Sequence, residues 1–176
     1  MPAPILIVSG PPGAGKTTVA RRLAETSGGP CVHLHTDDFY DAILTGYVAP
    51  WLPESHEQNT TVTRVITAAA GAYAAGGYAV VLDGVVGPWF LDVYRAAAKA
   101  VGAPLHYVVL RADRETAVRR ARDRTVAPLA DYPPNLIDNF ADLGPFEGHA
   151  IDTTHASAEA VTAEIRAGLE VGRFTL

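Results

Sequence analysis

The sequence has a single cysteine, Cys31, among its 176 residues, so an internal disulfide is excluded. That content suits a reducing compartment, and we expect Cys31 to be a small buried apolar residue. Long hydrophobic runs are also lacking, because the apolar stretch 68–82 is short and is broken by Gly76 and Gly77. Residues 4–8 are too few for a signal-peptide core. We therefore expect a soluble, cytoplasmic protein without a membrane span.

Basic charge is scarce as well. Lysine and arginine total 14 against 19 acidic residues, which gives a formal net charge of −5. This balance provides no electrostatic footprint for duplex nucleic acid or for an anionic membrane, so any bound anion must be held by a local site. Apolar residues make up 48% of the chain, which is typical of a folded globule. The length fits one domain, residues 1–176, with one core.

Four short apolar runs are present, and they are continuous where half-exposed strands would alternate. They are "PILIVSG", "CVHLH", "YAVVLDG" and "PLHYVVLR". Continuous runs of this length are typical of parallel strands covered on both faces. A short fifth strand is predicted at "HAIDT". Helical patterns lie between the runs, so the sequence predicts an open, doubly wound α/β domain.

The helical patterns are defined by apolar residues at helical spacing. They include Val19 and Leu23, then Val62, Ile66 and Tyr73, then Leu91, Tyr94 and Val101, and finally Val161, Ile165 and Leu169. Two stretches rich in proline and polar residues interrupt this alternation, at residues 45–59 and 125–137. Both are predicted to be loops, and loops of this length often form lids or the walls of binding sites.

The stretch "GPPGAGKTT" follows the first predicted strand and precedes the first predicted helix. It fits G-x-x-x-x-G-K-[ST], the phosphate-binding loop, in the strand-to-helix context that the motif requires. Glycines let the backbone curl so that N–H groups surround the phosphates, and the helix N-terminus adds positive potential. The predicted nucleotide-binding residues are Gly10, Pro11, Pro12, Gly13, Ala14, Gly15, Lys16, Thr17 and Thr18. Lys16 would reach the β- and γ-phosphates, and Thr17 would coordinate Mg²⁺.

Two acidic residues, Asp37 and Asp38, follow the second strand and are expected next to the phosphate loop. A carboxylate there can orient an acceptor hydroxyl and accept its proton during phosphoryl transfer. The alternative is that one of them only caps the helix "FYDAIL", and both roles are compatible, with Asp37 in catalysis and Asp38 as the cap. Either residue could contact a substrate.

The third strand ends at Asp83, where a Walker B carboxylate would hold Mg²⁺. A simple Asp-Gly turn with Gly84 is the alternative. No glutamate follows Asp83, whereas many P-loop ATPase motors carry a water-activating glutamate at that position. The sequence therefore argues against hydrolysis as the main activity.

The segment "DRETAVRRARDR" predicts an arginine-rich helix. Its four C-terminal arginines cannot all face one ligand, because neighbouring residues point about 100° apart. Arg120 and Arg124 share a face, so these two are the candidates for phosphate or adenine contacts in a closing lid. An ordinary solvated helix face is the alternative.

Together these motifs resemble the small P-loop kinases, which include gluconate kinase, shikimate kinase, chloramphenicol phosphotransferase and the zeta-toxin kinases. The resemblance spans nearly the whole chain and is strongest to gluconate-kinase-like proteins. It implies an α/β three-layer P-loop NTPase fold, with a five-stranded parallel sheet in the order 2-3-1-4-5, helices on both faces and a small lid. The lid would comprise residues 119–137, and residues 45–59 would form the acceptor-side loop.

The resemblance also implies roles for individual residues. Asp37 would be the base or acceptor anchor, and Arg120 and Arg124 would embrace ATP and the transferring phosphoryl group. The adenine pocket would include Asp152 and Thr153, although the nearby Thr154 could instead cap the last helix. MgATP would be the phosphoryl donor.

The acceptor region departs from the family pattern, because the second arginine signature by which shikimate kinase holds its substrate carboxylate is missing. Trp51 and Trp89 could stack on a ring in the mouth of the site or pack in the core. His56 and Glu57 lie in the acceptor-side loop, and Gly84 follows Asp83, so these residues are further acceptor candidates.

His33 and His35 share a strand face, but no third ligand accompanies them, so a structural role is predicted.

The sequence thus favours an ATP-dependent kinase that phosphorylates a hydroxyl of a sugar acid, sugar, nucleoside or antibiotic. One alternative is a nucleotide-dependent switch or adaptor without a small acceptor. Another is a nucleic-acid 5′-hydroxyl kinase, against which the acidic balance argues. The expected partner is the small-molecule acceptor, with no nucleic acid or membrane, and the protein would be a monomer or homodimer.

Overall fold

The computed structural model describes residues 1–123 and 134–176. Within them, five strands form one parallel sheet, as predicted. The strands are β1 (Ile5–Ser9), β2 (Cys31–His35), β3 (Ala79–Asp83), β4 (Leu105–Arg111) and β5 (Ala150–Asp152). Their order is β2-β3-β1-β4-β5, which confirms the order implied by the resemblance.

The helices of the described residues alternate with the strands. They are α1 (Lys16–Glu25), α2 (Thr36–Asp41), α3 (His56–Ala75), α4 (Leu91–Val101), α5 (Arg114–Arg122), α6 (Pro134–Asp138) and α7 (Ala158–Glu170). Short 3₁₀ helices lie at Pro53–Ser55, Pro88–Phe90 and Gly144–His149. None of the helices described in residues 1–123 and 134–176 is both long and apolar enough to cross a membrane.

The central strand β1 is buried on both faces, which explains its continuous apolar sequence. Ile5 and Ile7 pack into the hydrophobic cluster that contains α3 and α4. Leu6 and Val8 face the opposite cluster, which contains α1 and α7. Because successive side chains of a strand point to opposite faces, only a run without polar residues can satisfy both clusters. Because all five strands are parallel, their carboxyl ends lie at one edge of the sheet, where ligands bind in such folds.

The buried face of α3 is formed mainly by Val62, Ile66, Ala70 and Ala74, whose four-residue spacing follows the helical period. Tyr73 was predicted to belong to this face, but it is 42% exposed, so that prediction was wrong. Residues four apart drift by about 40° around a helix, so the buried stripe turns along α3, and at its end Tyr73 points about 100° away from the buried Ala74.

Cys31 also differs from its prediction. It lies at the start of the edge strand β2 and is only half-buried. Burial raises the pKa of its thiol. The position at a sheet edge explains the partial exposure, because an edge strand has a neighbouring strand on one side alone.

The predicted loop at residues 45–59 is shorter in the structure, because α3 already begins at His56. Two side chains of the first turn of α3 hold the preceding loop. The Val48 N–H donates to Gln58 Oε1 at 2.8 Å, and Gln58 Nε2 donates to the Val48 carbonyl at 2.7 Å. Asn59 Nδ2 donates to the Pro50 carbonyl and to the Ser55 hydroxyl, both at 2.8 Å. Gln58 and Asn59, whose polar side chains suggested that the loop extends to residue 59, therefore belong to α3 and hold the loop that precedes it.

The second predicted loop, residues 125–137, lies mainly outside the described residues, and so does Arg124. Its last four residues, 134–137, form most of the short helix α6 and not a loop. Pro134 is the first residue of α6, a position where proline is favoured because its missing N–H has no intrahelical partner there.

Candidate active site

The glycine-rich loop between β1 and α1 has the backbone that its sequence predicts. Gly10, Gly13 and Gly15 have φ values of +138°, +80° and +92°, which side chains other than glycine rarely adopt. Lys16 is the first residue of α1, so the loop ends at the positive end of a helix. Lys16 Nζ donates to the Pro11 carbonyl at 2.9 Å and thereby lies against the loop. This arrangement suits a bound phosphate.

Gly13 also lies in direct contact with α5. A Cβ atom built at Gly13 would overlap the carbonyl oxygen of Ala117 in that helix. A Cβ at Gly46, whose φ of +78° is nearly the same, would meet nothing within 4 Å. The chain therefore contains two glycines that differ in surroundings but not in backbone conformation.

We expect Gly13→Ala to lower the free energy of unfolding by about 1–3 kcal/mol more than Gly46→Ala does. Both substitutions strain a left-handed residue, at a cost of about 1–2 kcal/mol, but only the first also pushes the loop away from α5. Urea denaturation of the two variants measures the difference. Equal losses would show that the contact between the loop and α5 contributes nothing.

Thr17 and Asp83 meet at the ends of α1 and β3. The Thr17 hydroxyl donates to Asp83 Oδ2 at 2.7 Å, and the Asp83 side chain is fully buried. A hydroxyl beside a carboxylate provides the oxygen ligands that Mg²⁺ prefers, so these two residues fit the predicted metal position. No group of three or more His, Cys, Asp or Glu side chains able to hold a metal ion occurs in the described residues.

Two histidines of β2 complete the surroundings of Asp83. His33 Nε2 lies 2.5 Å from Asp83 Oδ1, and His35 Nδ1 lies 3.1 Å from Asp83 Oδ2. Burial by itself would raise the pKa of Asp83. The hydrogen bonds from His33, His35 and Thr17 outweigh it and hold that pKa well below its usual range. Asp83 is therefore ionised at neutral pH, and its carboxylate is held by three side-chain partners.

His35 contacts a second carboxylate, because its Nε2 lies 3.4 Å from Asp37 Oδ2. The hydrogen bonds to Asp37 and Asp83 raise the pKa of His35 to about 10. The same interaction with His35, together with the charge of Lys16, lowers the pKa of Asp37. Asp37 is thus ionised at neutral pH and lies in the electrostatic field of the phosphate-loop lysine.

Asp38 has a different environment. The helix α2 begins at Thr36, so Asp38 lies in its first turn and cannot be the cap, and the N-cap residue His35 makes no side-chain capping bond. The capping role considered for Asp38 was therefore wrong. Within the described chain, the Asp38 carboxylate is exposed and has no hydrogen-bond partner, in contrast to Asp37. The structure distinguishes two residues that the sequence could not.

Arg120 connects α5 to the segment after β5. Its guanidinium donates to the carbonyls of Thr153 and Thr154 at 3.0 and 3.1 Å. The Thr153 hydroxyl in turn donates to the Ala14 carbonyl of the phosphate loop at 3.0 Å. Arg120, the segment after β5 and the loop therefore form one connected wall.

A cleft of about 340 Å³ opens in front of this wall. It is lined by Gly13, Ala14, Gly15, Lys16, Thr17, Thr18, Val19, Arg120, Thr153, Ala156, Ala158 and Val161. Most predicted nucleotide-binding residues thus line one space, whereas Gly10, Pro11 and Pro12 are not among its lining residues. Asp152 is exposed beside the cleft, and its carboxylate accepts the Thr154 N–H at 2.8 Å.

Thr154 does not cap the last helix, which corrects one of the alternatives above. The N-cap of α7 is Ser157, whose hydroxyl accepts the Ala160 N–H at 3.1 Å. The Thr154 hydroxyl accepts the N–H of Asp113, the N-cap of α5, at 2.9 Å. Thr154 therefore joins the start of α5 to the segment after β5.

The acceptor candidates are spread around the carboxyl edge of the sheet. Trp51 and Trp89 are 45% and 54% exposed, so the core-packing alternative was wrong for both. Trp89 contacts the rings of Phe90 and Phe140, whereas the Trp51 ring and the exposed His56 side chain make no hydrogen bond or ring contact in residues 1–123 and 134–176.

Gly84 lies so close to Thr36 that a Cβ atom would overlap its side chain. Glu57 lines a separate apolar depression between α2 and α3.

The loop, its helix and the strand order define the P-loop class of proteins. Residues 5–136 match the model of a family described as "AAA domain". The match covers most of the chain, and the protein belongs to this family. None of the curated proteins matches the sequence.

Solved structures with the same fold include several kinases. A sugar kinase from Janibacter sp. HTCC2649 is 18% identical, with a TM-score of 0.69 over 98% of this chain and 97% of that one. A gluconokinase from Sinorhizobium meliloti 1021 is 20% identical, with a TM-score of 0.62 over 97% and 93%. The APS kinase CysC of Mycobacterium tuberculosis, in complex with AMPPNP and APS, is 16% identical, with a TM-score of 0.67 over 96% and 98%. These similarities show that the chain has the fold of small P-loop kinases.

Proposed function

We propose that the protein is an ATP-dependent phosphotransferase that transfers the γ-phosphoryl group of MgATP to a hydroxyl of a small molecule. The observation that carries this proposal is the position of Asp37. Its ionised carboxylate follows β2, is influenced by Lys16 and is joined through His35 to the Thr17–Asp83 pair. A carboxylate beside the phosphate loop suits an acceptor hydroxyl, and no glutamate follows Asp83 to activate water.

The donor side would be held by the phosphate loop. The loop amides and Lys16 would bind the β- and γ-phosphates, and Thr17 and Asp83 would hold Mg²⁺, which when bound neutralises phosphate charge. The adenine would lie in the same cleft near Ala156 and Arg120. Thr153 and Asp152 would support this side, since Thr153 lines the cleft and Asp152 fixes the turn after it.

The chemical step needs only these groups. The acceptor oxygen forms a bond to the γ-phosphorus while the bond between that phosphorus and the β–γ bridging oxygen breaks, and ADP leaves. The lowered pKa of Asp37 keeps its carboxylate ionised, so it can accept a hydrogen bond from the acceptor hydroxyl. The proton of that hydroxyl passes to Asp37 as the new bond to phosphorus forms. Arg120, together with Arg124 beyond the described residues, would meet the charge that develops on the transferring group.

The acceptor would be bound by the segment that follows β2. We assign its contacts to Asp37 and Asp38 of α2 and to Gly84 after β3. The exposed rings of Trp51 and Trp89 offer surfaces on which a sugar or another ring could stack, and His56 could donate a hydrogen bond. Asp37, Asp38, Gly84 and Trp89 follow β2 or β3, Trp51 lies between α2 and α3, and His56 is the first residue of α3.

The charge of this segment favours a neutral or amino-bearing acceptor over an acid. Residues 36–59 contain five acidic side chains and no lysine or arginine. Asp41 and Asp37 also lie close enough to Tyr47 to affect it, since burial and these two charges raise the pKa of Tyr47. A carboxylate or phosphate on the acceptor would be repelled by these negative charges, and the segment has no lysine or arginine to bind it.

We therefore expect the kcat/KM for gluconate to be at least about tenfold lower than for glucose or glucosamine, a difference of about 1.4 kcal/mol. These three compounds share a six-carbon chain and differ in charge, and sorbitol, which is uncharged and open-chain like gluconate, controls for the difference in ring form. The variant Asp41→Lys should reduce the gap by placing a positive charge on α2. A preference for gluconate in the unaltered protein would contradict this reading of the acceptor side.

The decisive test of the proposed function is a transfer assay. The protein is incubated with γ-labelled ATP and a panel of sugars, polyol acids, nucleosides and aminoglycoside or phenicol antibiotics, and the products are separated. A labelled organic phosphate is the expected result. Label in inorganic phosphate alone, for every compound in the panel, would instead favour a nucleotide-dependent switch.

A further inference from the structure

His35 lies between the two carboxylates that the proposed reaction uses. It is the last residue of β2 and is paired in register with Asp83 of β3. Its Nδ1 is 3.1 Å from Asp83 Oδ2, and its Nε2 is 3.4 Å from Asp37 Oδ2. One ring thus joins the residue that would hold the metal to the residue that would orient the acceptor.

The contact with His35 matters because the Asp37 side chain has one other hydrogen-bond partner in the described chain, the hydroxyl of the adjacent Thr36, which donates to Asp37 Oδ1 at 3.5 Å. The Asp37 side chain is 62% exposed, whereas the ring of His35 is 24% exposed and Asp83 is fully buried. An exposed aspartate rotates among several rotamers unless a neighbour holds it. His35 is anchored to a buried, immobile group, so it can transmit that fixed position to Asp37. Asp38, the next residue, has no such partner in the described chain.

We propose that His35 is a positioning residue for phosphoryl transfer, which holds the Asp37 carboxylate in place relative to the Thr17–Asp83 pair. This inference rests on the proposed function. The ring itself would not touch the reacting atoms; it would set the distance between the acceptor hydroxyl and the γ-phosphate. Misplacing a reacting group by about 1 Å can lower a rate by about 10²-fold. Loss of the His35 ring should therefore lower kcat and leave the affinity for ATP unchanged.

A neighbouring histidine provides a matched comparison. His33 lies on the same face of β2 and contacts Asp83 Oδ1 at 2.5 Å, but the structure gives it no contact with Asp37. His33→Gln therefore disturbs a contact with Asp83 alone, whereas His35→Gln disturbs the contacts with both Asp83 and Asp37. A glutamine can still donate one hydrogen bond, so His35→Gln should keep part of the function that His35→Ala loses.

The first experiment is a double-mutant cycle on the slow ATP hydrolysis that occurs when water takes the place of the acceptor, so that no identified substrate is needed. We expect His35→Ala to lower kcat by about 10–100-fold with little change in KM for ATP. In an Asp37→Asn background, the same change should have less than about a threefold effect, because the residue it positions is already disabled. Equal effects in both backgrounds would show that His35 acts through Asp83 or through the fold, and would overturn the inference.

The second experiment requires no turnover. Calorimetry measures the affinity for MgADP alone and for MgADP with aluminium fluoride, a mimic of the transferring phosphoryl group. His35→Ala should weaken the aluminium fluoride complex by about 10–100-fold and leave the MgADP affinity within about threefold, with His35→Gln intermediate and His33→Gln less affected. Equal losses for both ligands would overturn the inference. If the unaltered protein bound neither, the proposed function would fail instead, so the two failures are distinguishable.

Discussion

Lys16→Ala is expected to reduce turnover by about 10³-fold or more. In the proposed mechanism the ammonium group is a fixed positive charge at the β- and γ-phosphates, where charge moves during transfer. It is held against the loop by the Pro11 carbonyl and cannot be replaced by a neighbouring lysine, because the only other lysine of the chain, Lys99, lies at the far end of α4. The measurement is kcat with saturating MgATP, by release of labelled phosphate or by transfer to an acceptor.

Lys99→Ala is the matched control, since it removes the same side chain from an exposed helix surface. It should leave kcat within about twofold of the unaltered protein. A Lys16→Ala variant that retained a tenth or more of the activity would contradict the assignment of the glycine-rich loop as the site of phosphoryl transfer.

Asp37→Asn is expected to lower kcat by about 10²- to 10⁴-fold, the usual contribution of a general base, while ATP still binds. The amide keeps the shape of the side chain but cannot accept a proton. Because Asp37 does not line the phosphate-loop cleft, the affinity for MgATP should change by less than about threefold. Single-turnover kinetics for the chemical step and calorimetry for MgATP separate these two quantities.

A suitable control is Asp92→Asn, which removes one charge from the first turn of α4, where the side chain is almost fully exposed. Full kcat in the Asp37→Asn variant would remove Asp37 from the base role and would leave Asp38 as the nearest candidate. A parallel loss of MgATP affinity and of kcat would instead show that Asp37 supports the nucleotide site.

The fold could be predicted because its main determinants are local. Strands covered on both faces must be continuously apolar, and their alternation with helical patterns indicates a doubly wound sheet. The strand order was implied by the resemblance to the small P-loop kinases. The start of α3 could not be predicted in this way. Its first turn is exposed and polar, and Gln58 and Asn59 use their side chains to hold the loop before them, so the composition of a helix end resembles that of a loop.

The donor half of the candidate site was also predictable, since Lys16 and Thr17 are fixed by the motif and Asp83 by its place at the end of a strand. The contacts of the two histidines could not be predicted from the sequence. The spacing of two places His33 and His35 on one face of β2, but only the pairing of β2 with β3 puts that face against Asp83. Similarly, the bonds of Arg120 to the carbonyls of Thr153 and Thr154 join residues more than 30 positions apart and leave no local signal.

The hydrogen bond from Thr153 to Ala14 spans 139 positions of the chain. During synthesis the glycine-rich turn emerges from the ribosome early, but the hydroxyl that braces it emerges only after most of the polypeptide has been translated. A nascent chain shorter than about 153 residues therefore lacks part of the scaffold that shapes its phosphate cradle. Affinity for nucleotide should accordingly be acquired late, as a property of the finished domain and not of its first strand and helix.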